Sequence, residues 1–168
     1  MLTIFAASAA SDEAFVIGNA HYGRGELDQA RDAYSECLEN QPERTDCATN
    51  LASVLVDLGP QHEAMAETLY RRVLVTEERN ADAAFNLALM LQDRKTHDAS
   101  REAATLYQTV VASEPGRWDA WANLAAVLDN LKVPRQCFRA AQRAIVLVEG
   151  MHAQSQSAME VRMPLCDA

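Results

Sequence analysis

The chain repeats one pattern of small and apolar residues four times, at intervals of 34 to 37 residues. In each copy a small residue (Trp121 in the fourth) is followed three residues later by Leu or Ile, with Ala or Gly beside it. The first halves of the copies begin this pattern at Ala14, Ala48, Ala84 and Trp121, and the second halves at Ala30, Ala66, Ala103 and Cys137. A fixed period of this length indicates stacked structural repeats, which form extended surfaces rather than closed catalytic pockets.

Each copy predicts two α-helices joined by a short turn. Apolar or small residues fall at positions 4, 7, 8 and 11 of a copy and again at 20, 24, 27 and 28, and each set is one stripe of a helix. Gly25 and Gly59 end the first helix in copies one and two, where glycine tolerates left-handed geometry. Lys95 and Lys132 stand there in the other copies; their charge suits a helix C-terminus, although a positive φ costs them more. We predict an all-α chain.

The four copies resemble tetratricopeptide repeats over residues 11–151, through the small–large pattern of the first helices, the GNAHYGRGELDQA segment and the spacing of Ala, Tyr and a small apolar residue in the second helices. The resemblance implies a right-handed superhelical α-solenoid of antiparallel helix pairs. We place the repeats at 11–44, 45–80, 81–117 and 118–151, with an N-terminal cap or processed segment at 1–10 and a weak capping helix or flexible tail at 152–168. Extra residues near Gly59 and Thr96 should lengthen the turns within repeats two and three.

The charge of the chain limits its partners. A net charge of −9 argues against nucleic acid or an anionic membrane, because phosphates are bound by Lys and Arg. No apolar run reaches the roughly 18 to 20 residues that span a bilayer. The apolar residues 1–10 carry no basic residue, so we favour a cap on the first repeat, with a secretory segment left open.

The four cysteines are Cys37, Cys47, Cys137 and Cys166. No CxxC or Cys/His spacing indicates a metal site. Cys37 and Cys137 stand where other repeats place Ala or Val, as expected for buried thiols that act as small apolar side chains. We therefore expect no disulfide framework, a reducing compartment and a cytoplasmic location.

We call one side of each first helix the helix-A face. It comprises positions 2, 6, 9 and 13, which lie opposite the packed stripe because successive residues of a helix are about 100° apart. The resemblance implies that this face lines a concave groove. None of its sixteen residues is basic and six are aspartates, namely Asp12, Asp46, Asp57, Asp82, Asp93 and Asp119. Asn50, Asn86 and Asn123 recur at position 6; Val16 interrupts the row in repeat one, and Asn19 follows one turn later.

We predict that the helix-A face binds an extended, basic peptide through Asn19, Asn50, Asn86, Asn123, Asp46, Asp57, Asp82, Asp93 and Asp119. An amide carries donors and an acceptor, so a row of asparagines can pair with a peptide backbone. This row resembles the asparagine ladder in the repeat arm of O-GlcNAc transferases. Alternatively, the asparagines bond a neighbouring helix and fix the stacking of repeats.

The aspartates have their own alternatives. Those at position 2 also suit the N-terminal helix dipole, whereas Asp57 and Asp93 lie near helix C-termini, where the dipole disfavours them. For those two aspartates, the remaining explanations are contact with a ligand and simple solvation. The clamp that captures acidic chaperone tails is excluded, because its basic positions correspond to Phe15, Asp82 and Asn86 here.

Two features of the last helix stay outside this site. Three arginines recur at i, i+4 and i+8, namely Arg135, Arg139 and Arg143. They form either a solvated face or a small patch that docks an anionic partner. An apolar edge of Phe138, Ile145 and Val148 would normally be covered by a fifth repeat, and the tail or another molecule could cover it instead.

The sequence offers no support for catalysis. Its histidines, namely His21, His62, His97 and His152, share no spacing with acids or thiols, and there is no phosphate loop, nucleophile elbow or metal motif. We predict a non-catalytic, cofactor-free scaffold for a peptide containing Lys or Arg. The alternatives are the targeting arm of a larger enzyme, such as a glycosyltransferase, and a structural subunit that self-associates through the repeat-four end.

Overall fold

The computed structural model describes residues 2–155, with side chains over residues 8–151. Eight α-helices follow one another in that range: α1 (Leu2–Gly23), α2 (Leu27–Asn40), α3 (Thr45–Asp57), α4 (Glu63–Thr76), α5 (Ala81–Asp93), α6 (His97–Ser113), α7 (Trp118–Asn130) and α8 (Pro134–Ser155). A short 3₁₀ turn, Pro60–His62, precedes α4. No strand occurs within residues 2–155, and the prediction of an all-α chain is confirmed.

The chain divides into two compact units, each holding two helix pairs. Unit 1 is Met1–Glu78 and unit 2 is Arg79–Ala168. In unit 1, α1 packs on α2, α2 on α3 and α3 on α4; in unit 2, α5 packs on α6, α6 on α7 and α7 on α8. Helix pairs packed in chain order are the solenoid arrangement that the repeats predict.

Both ends of the described region are helical. Helix α1 begins at Leu2 and continues without a break into residues 11–23, so the predicted N-terminal segment belongs to the same helix as repeat one. Helix α8 continues to Ser155. The rest of the predicted capping tail lies at 156–168, outside the described residues.

A buried tyrosine joins the two helices of a pair in three of the repeats. Tyr34, Tyr70 and Tyr107 are almost fully buried at the same position of the second helix. Their hydroxyls bond the first helix: Tyr34 to Asn19 at 2.7 Å, Tyr70 to Ser53 at 2.9 Å and Tyr107 to Gln92 at 3.0 Å. The rings fill the space between the helices, and the hydroxyls need these bonds because an unpaired buried hydroxyl is costly.

The turn within each repeat contains one residue with a positive φ. Gly25 has φ of 73°, as the sequence predicts, and Gly59 has φ of 117°. Gly59, with ψ of 177°, adopts an extended positive-φ geometry that is open essentially to glycine alone. Lys95 and Lys132 have φ of 54° and 57° and adopt instead the left-handed region of Gly25. Side chains in that region cost roughly 1–2 kcal/mol per residue. The repeat geometry therefore overrides the local preference of these two lysines.

The extra residues of repeats two and three have different effects. In repeat two they form the 3₁₀ turn and lengthen the connection, as predicted. In repeat three the prediction of a longer turn is wrong, because α6 begins at His97 and has 17 residues, against 14 in α2. The Thr96 hydroxyl accepts a hydrogen bond from the Ala99 N–H, and Asp98 lies in the first turn of α6. A good N-cap and a favourable first-turn charge let these residues extend the helix instead.

Cys37 of α2 and Cys47 of α3 form a disulfide bond, so the expectation of free thiols is wrong for this pair. The short connection between α2 and α3 brings their Cα atoms to 6.3 Å, within the usual range for a disulfide. Cys137 is also disulfide-bonded, and no cysteine in the described part is free; Cys166 lies outside the described residues. Structural disulfides are rare in reducing compartments, so these bonds do not favour the reducing compartment expected from the sequence.

Candidate functional site

On unit 1, Asn19 and Asn50 meet between α1 and α3. Nδ2 of Asn50 donates to Oδ1 of Asn19 at 3.1 Å, and the Tyr34 hydroxyl donates to the same oxygen at 2.7 Å. A longer bond of 3.4 Å joins Asn50 Nδ2 to the Tyr34 hydroxyl. The cluster links two adjacent repeats, which is the contact that the stacking alternative for these asparagines requires.

These bonds leave a donor group and an acceptor unused among the described residues. Nδ2 of Asn19 and Oδ1 of Asn50 make no hydrogen bond with another described residue. Asn19 is exposed and Asn50 is half-buried. An amide nitrogen and an amide oxygen on neighbouring side chains can take the carbonyl and the N–H of another amide.

At the C-terminal ends of α1 and α3, Tyr22 contacts Asp57. The Tyr22 hydroxyl donates to Oδ2 of Asp57 at 2.8 Å, and both residues are exposed. This hydrogen bond, together with partial burial and the charge of the carboxylate, raises the pKa of Tyr22 to about 12. A carboxylate beside an aromatic ring combines two groups that attract a cation.

Arg44, just ahead of α3, forms an arginine clamp between repeats one and two. Its guanidinium donates to Asp12 at 2.5 Å and to Asp46 at 2.8 Å. The same guanidinium lies 4.9 Å from the centre of the Phe15 ring, a cation–π contact. One side chain therefore holds two aspartates of the helix-A face and an aromatic ring.

Arg117, just ahead of α7, forms the equivalent arginine clamp in unit 2. Its guanidinium lies 3.0 Å from a carboxylate oxygen of Asp82 and 3.4 Å from one of Asp119. The guanidinium carbon is 4.2 Å from the centre of the Phe85 ring. Repeats three and four are thus joined by the same residue types as repeats one and two.

The clamps account for the aspartates at position 2 without removing the negative charge of the face. Asp46 and Asp119 also accept a hydrogen bond from the backbone N–H of the next residue, at 2.7 and 2.8 Å. Both lie in the first turn of a helix, so the structural role expected there is present. The helix-A face of each unit still carries three aspartates against one clamp arginine.

The remaining predicted residues lie on unit 2. Asp93 ends α5, is exposed and forms no ion pair within the described residues. Asn86 of α5 and Asn123 of α7 are half-buried and share one helical position. The amide–amide hydrogen bond described above, between Asn19 and Asn50, belongs to unit 1.

Several proteins of known structure share the fold of this chain. No protein-family model matches the chain, and no curated protein matches it. The crystal structure of MamA is similar with a TM-score of 0.74 and 15% identity, over 85% of this chain and 81% of MamA. PilF of Pseudomonas aeruginosa is similar with a TM-score of 0.70 and 24% identity, over 86% of this chain and 64% of PilF. YrrB, a TPR protein with an unusual peptide-binding site, has a TM-score of 0.66 and 22% identity, over 88% of this chain and 75% of YrrB. The chain has the tetratricopeptide-repeat fold.

At these identities the likeness is one of fold, and it confirms the recognition of tetratricopeptide repeats in the sequence. The helix-A faces described above belong to the first helix of each repeat. Within the residues described, no helix is both long and apolar enough to cross a membrane.

Sequence reasoning on these tetratricopeptide repeats missed both clamp arginines. The available signal was Arg-x-Asp ahead of the first helix in repeats two and four, at Arg44 and Arg117, with Phe at position 5 of the preceding repeat. The corresponding residue ahead of α5 is Asn80, whose side chain caps that helix by accepting from the Ala83 N–H at 3.0 Å. The recurrence in alternate repeats could have indicated paired repeats.

His21, at packed position 11 of repeat one, makes contacts within its own repeat. It is half-buried, and its Nδ1 lies 2.5 Å from Oε2 of Glu26. Arg24 donates to the same oxygen at 3.0 Å. These bonds, with His21 the larger contributor, lower the pKa of Glu26. Among the described residues, no group of three His, Cys, Asp or Glu side chains is placed to hold a metal ion.

Proposed function

We propose that this chain is a non-catalytic scaffold that binds an extended peptide containing Lys or Arg on its helix-A faces. The Asn19–Asn50 pair carries the proposal, because its unused nitrogen and oxygen lie on neighbouring side chains of unit 1. A peptide unit presents the opposite groups, a carbonyl and an N–H, whatever its side chain is. The pair therefore favours recognition of a backbone independently of its sequence.

The charge of the helix-A faces favours a basic peptide. Each face has more aspartates than arginines, and Asp57 and Asp93 lie where helix capping does not explain them. At Asp57 the exposed ring of Tyr22 adds a surface for the stem or the cation of Lys or Arg. These carboxylates would select the side chains while the asparagines hold the backbone.

The fold is compatible with this role, since YrrB shares it and has a peptide-binding site. A single hydrogen bond of this kind contributes about 0.5–1.5 kcal/mol net. Several of them, with ion pairs, give an affinity in roughly the micromolar range, about −8 kcal/mol.

Fluorescence anisotropy with a library of labelled peptides rich in Lys and Arg tests the proposal. The double variant Asp57→Asn/Asp93→Asn removes two charges without changing side-chain shape and should weaken binding by about tenfold. The matched control Glu36→Gln/Asp98→Asn removes two exposed charges from second helices, α2 and α6, and should bind like the wild type.

The salt dependence gives an independent criterion. Binding through exposed carboxylates should weaken steeply as salt is raised, because exposed charges are screened. Salt-insensitive binding, or equal loss in the test and control variants, would contradict the assignment to the helix-A faces. Absence of binding across the library would contradict the proposal as a whole.

A second candidate, a self-associating assembly subunit, rests on the last helix. Phe138 is 63% exposed and Ile145 is 40% exposed on α8, while Val148, the third member of the predicted edge, is buried. Large apolar side chains exposed together are typical of contact surfaces. Sedimentation equilibrium should find a dimer that Phe138→Glu dissociates. A monomer at all concentrations would exclude this candidate.

A further inference from the structure

Unit 2 has a groove that is separate from its helix-A face. This groove of about 350 Å³ runs between α6 and α8 and over α7. Trp121, Leu124 and Leu128 of α7 form its floor, and Val111 of α6 lines one side. At about 100° per residue, Asn123 lies roughly 130° around α7 from the middle of that floor. A ligand in this groove would not contact the asparagine of the helix-A face.

Trp121 distinguishes this groove from the equivalent place in the other repeats. The residues at its position there are all alanines: Ala14, Ala48 and Ala84. The indole N–H of Trp121 donates to the Pro115 carbonyl at 3.0 Å, which fixes the ring. A half-buried tryptophan held in one orientation is a typical anchor at the centre of a protein interface.

A row of arginines on α8 borders the groove. Arg139 lines it, and Arg135 and Arg143 lie one turn before and one turn after on the same side of the helix. All three are exposed, and none forms an ion pair with a described carboxylate. Arg44 and Arg117, in contrast, are each held by two aspartates. In a chain of net charge −9, this row is a local basic surface that the chain's own described carboxylates leave uncompensated.

We propose that this groove docks an acidic amphipathic segment of a partner protein. An apolar side chain of the partner packs on Trp121 between α6 and α8, and its carboxylates pair with Arg139 and the neighbouring arginines. Charge complementarity selects the partner, since an unpaired basic row beside an apolar floor matches acids beside an apolar residue. The helix-A faces favour the opposite charge, so the two surfaces take different partners.

The fluorescence of Trp121 reports directly on occupancy of the groove. The variant Trp118→Phe leaves Trp121 as the single tryptophan of the chain. The probe is a short amphipathic peptide of Leu and Glu, and the matched probe replaces every Glu by Lys. We expect the Leu/Glu peptide to shift the emission of Trp121 saturably, and the Leu/Lys peptide to leave it unchanged.

Charge reversal locates the contact on α8. In the Trp118→Phe background, Arg139→Glu/Arg143→Glu should weaken binding of the Leu/Glu peptide by about tenfold or more. The matched control Arg72→Glu/Arg79→Glu reverses two exposed arginines outside the groove and should retain the affinity. All four side chains are exposed, so both variants should keep the helical circular dichroism of the parent.

Several outcomes would overturn the proposal. They are an emission that does not respond to the Leu/Glu peptide, and equal loss of binding in the two charge-reversal variants. A response seen only after deletion of residues 156–168 would assign the groove to the chain's own C-terminal segment. A dimer of the peptide-free chain that Arg139→Glu dissociates would assign it to a second copy.

Discussion

Gly18 lies against the Tyr34 ring inside the first helix pair, and a side chain there would collide with it. A Cβ atom would lie 2.6 Å from Cε1 of Tyr34, whose ring is fully buried. Gly18→Ala should therefore lower the free energy of unfolding by about 1–3 kcal/mol. The control Gly23→Ala in the same helix meets open space and should be neutral or stabilise by up to about 1 kcal/mol. Urea unfolding measures both, and equal effects would contradict the close contact.

Tyr22 should ionise at higher pH than an ordinary tyrosine. Its pKa is raised from 10.0 to about 12, chiefly by the hydrogen bond to Asp57. The folded state then holds the proton more tightly than the unfolded state. This contribution to stability is complete below about pH 10 and is lost as the pH rises from about 10 to 12.

Ultraviolet absorbance of tyrosinate, taken as the difference between the wild type and Tyr22→Phe, measures this pKa. Asp57→Asn removes the carboxylate and should return the pKa of Tyr22 towards 10. A difference titration that is the same with and without Asp57→Asn would contradict the Tyr22–Asp57 contact.

Lys132 has a left-handed backbone that suits glycine better. Its φ of 57° resembles the 73° of Gly25, at the same place in repeat one. Lys132→Gly should raise the free energy of unfolding by about 1 kcal/mol, because glycine avoids the Cβ contact of that region. Lys132→Ala removes the charge but keeps the Cβ atom, and it should give no such gain in thermal unfolding. Equal effects of the two substitutions would show that the φ value is not the cause.

At the scale of the helices, the Cys37–Cys47 disulfide ties α2 to α3 across a sequence separation of 10 residues. Cys37→Ala/Cys47→Ala should lower the free energy of unfolding by about 3 kcal/mol, as the chain-entropy estimate for a short loop gives. The double variant is a cleaner test than a reductant, because Cys137 is also disulfide-bonded. Thiol alkylation of the unfolded wild-type protein without reductant should leave Cys37 and Cys47 unmodified. Their modification would contradict the bond.

The same alkylation in cells tests the compartment. Structural disulfides persist mainly in oxidising environments. The cytoplasmic location expected from the sequence therefore remains a prediction, and it requires that Cys37 and Cys47 be reduced in the cell.

The helices and their pairing were predictable because the signals are local. The stripe of Ala84, Leu87, Ala88 and Leu91 predicts the buried side of α5, and all four residues are buried. The equivalent stripe of α1 is an exception at Ile17, which is 43% exposed. The left-handed lysines and the longer α6 were not predictable in the same way. At these places the repeat geometry and the Thr96 cap outweigh the average preferences of the residues.

At the scale of the molecule, the parts of the candidate site that escaped prediction are contacts between repeats. Arg44 meets Asp12 across 32 residues of sequence, and Tyr22 meets Asp57 across 35. A helical pattern predicts the side of a helix on which Asp12 lies but not the side chain that reaches it from the next repeat. The asparagines and aspartates were therefore identified from position alone, whereas their internal partners required coordinates.

The central claim is that the helix-A face of unit 1 binds the backbone of a basic peptide through Asn19 and Asn50. Two-dimensional NMR of the side-chain amides measures this directly during titration with a Lys- and Arg-rich peptide. We predict that the side-chain amide signals of Asn19 and Asn50 shift saturably, while that of Asn40, at the end of α2, stays in place. Shifts confined to residues of the second helices, or binding with no change at Asn19 and Asn50, would contradict the claim.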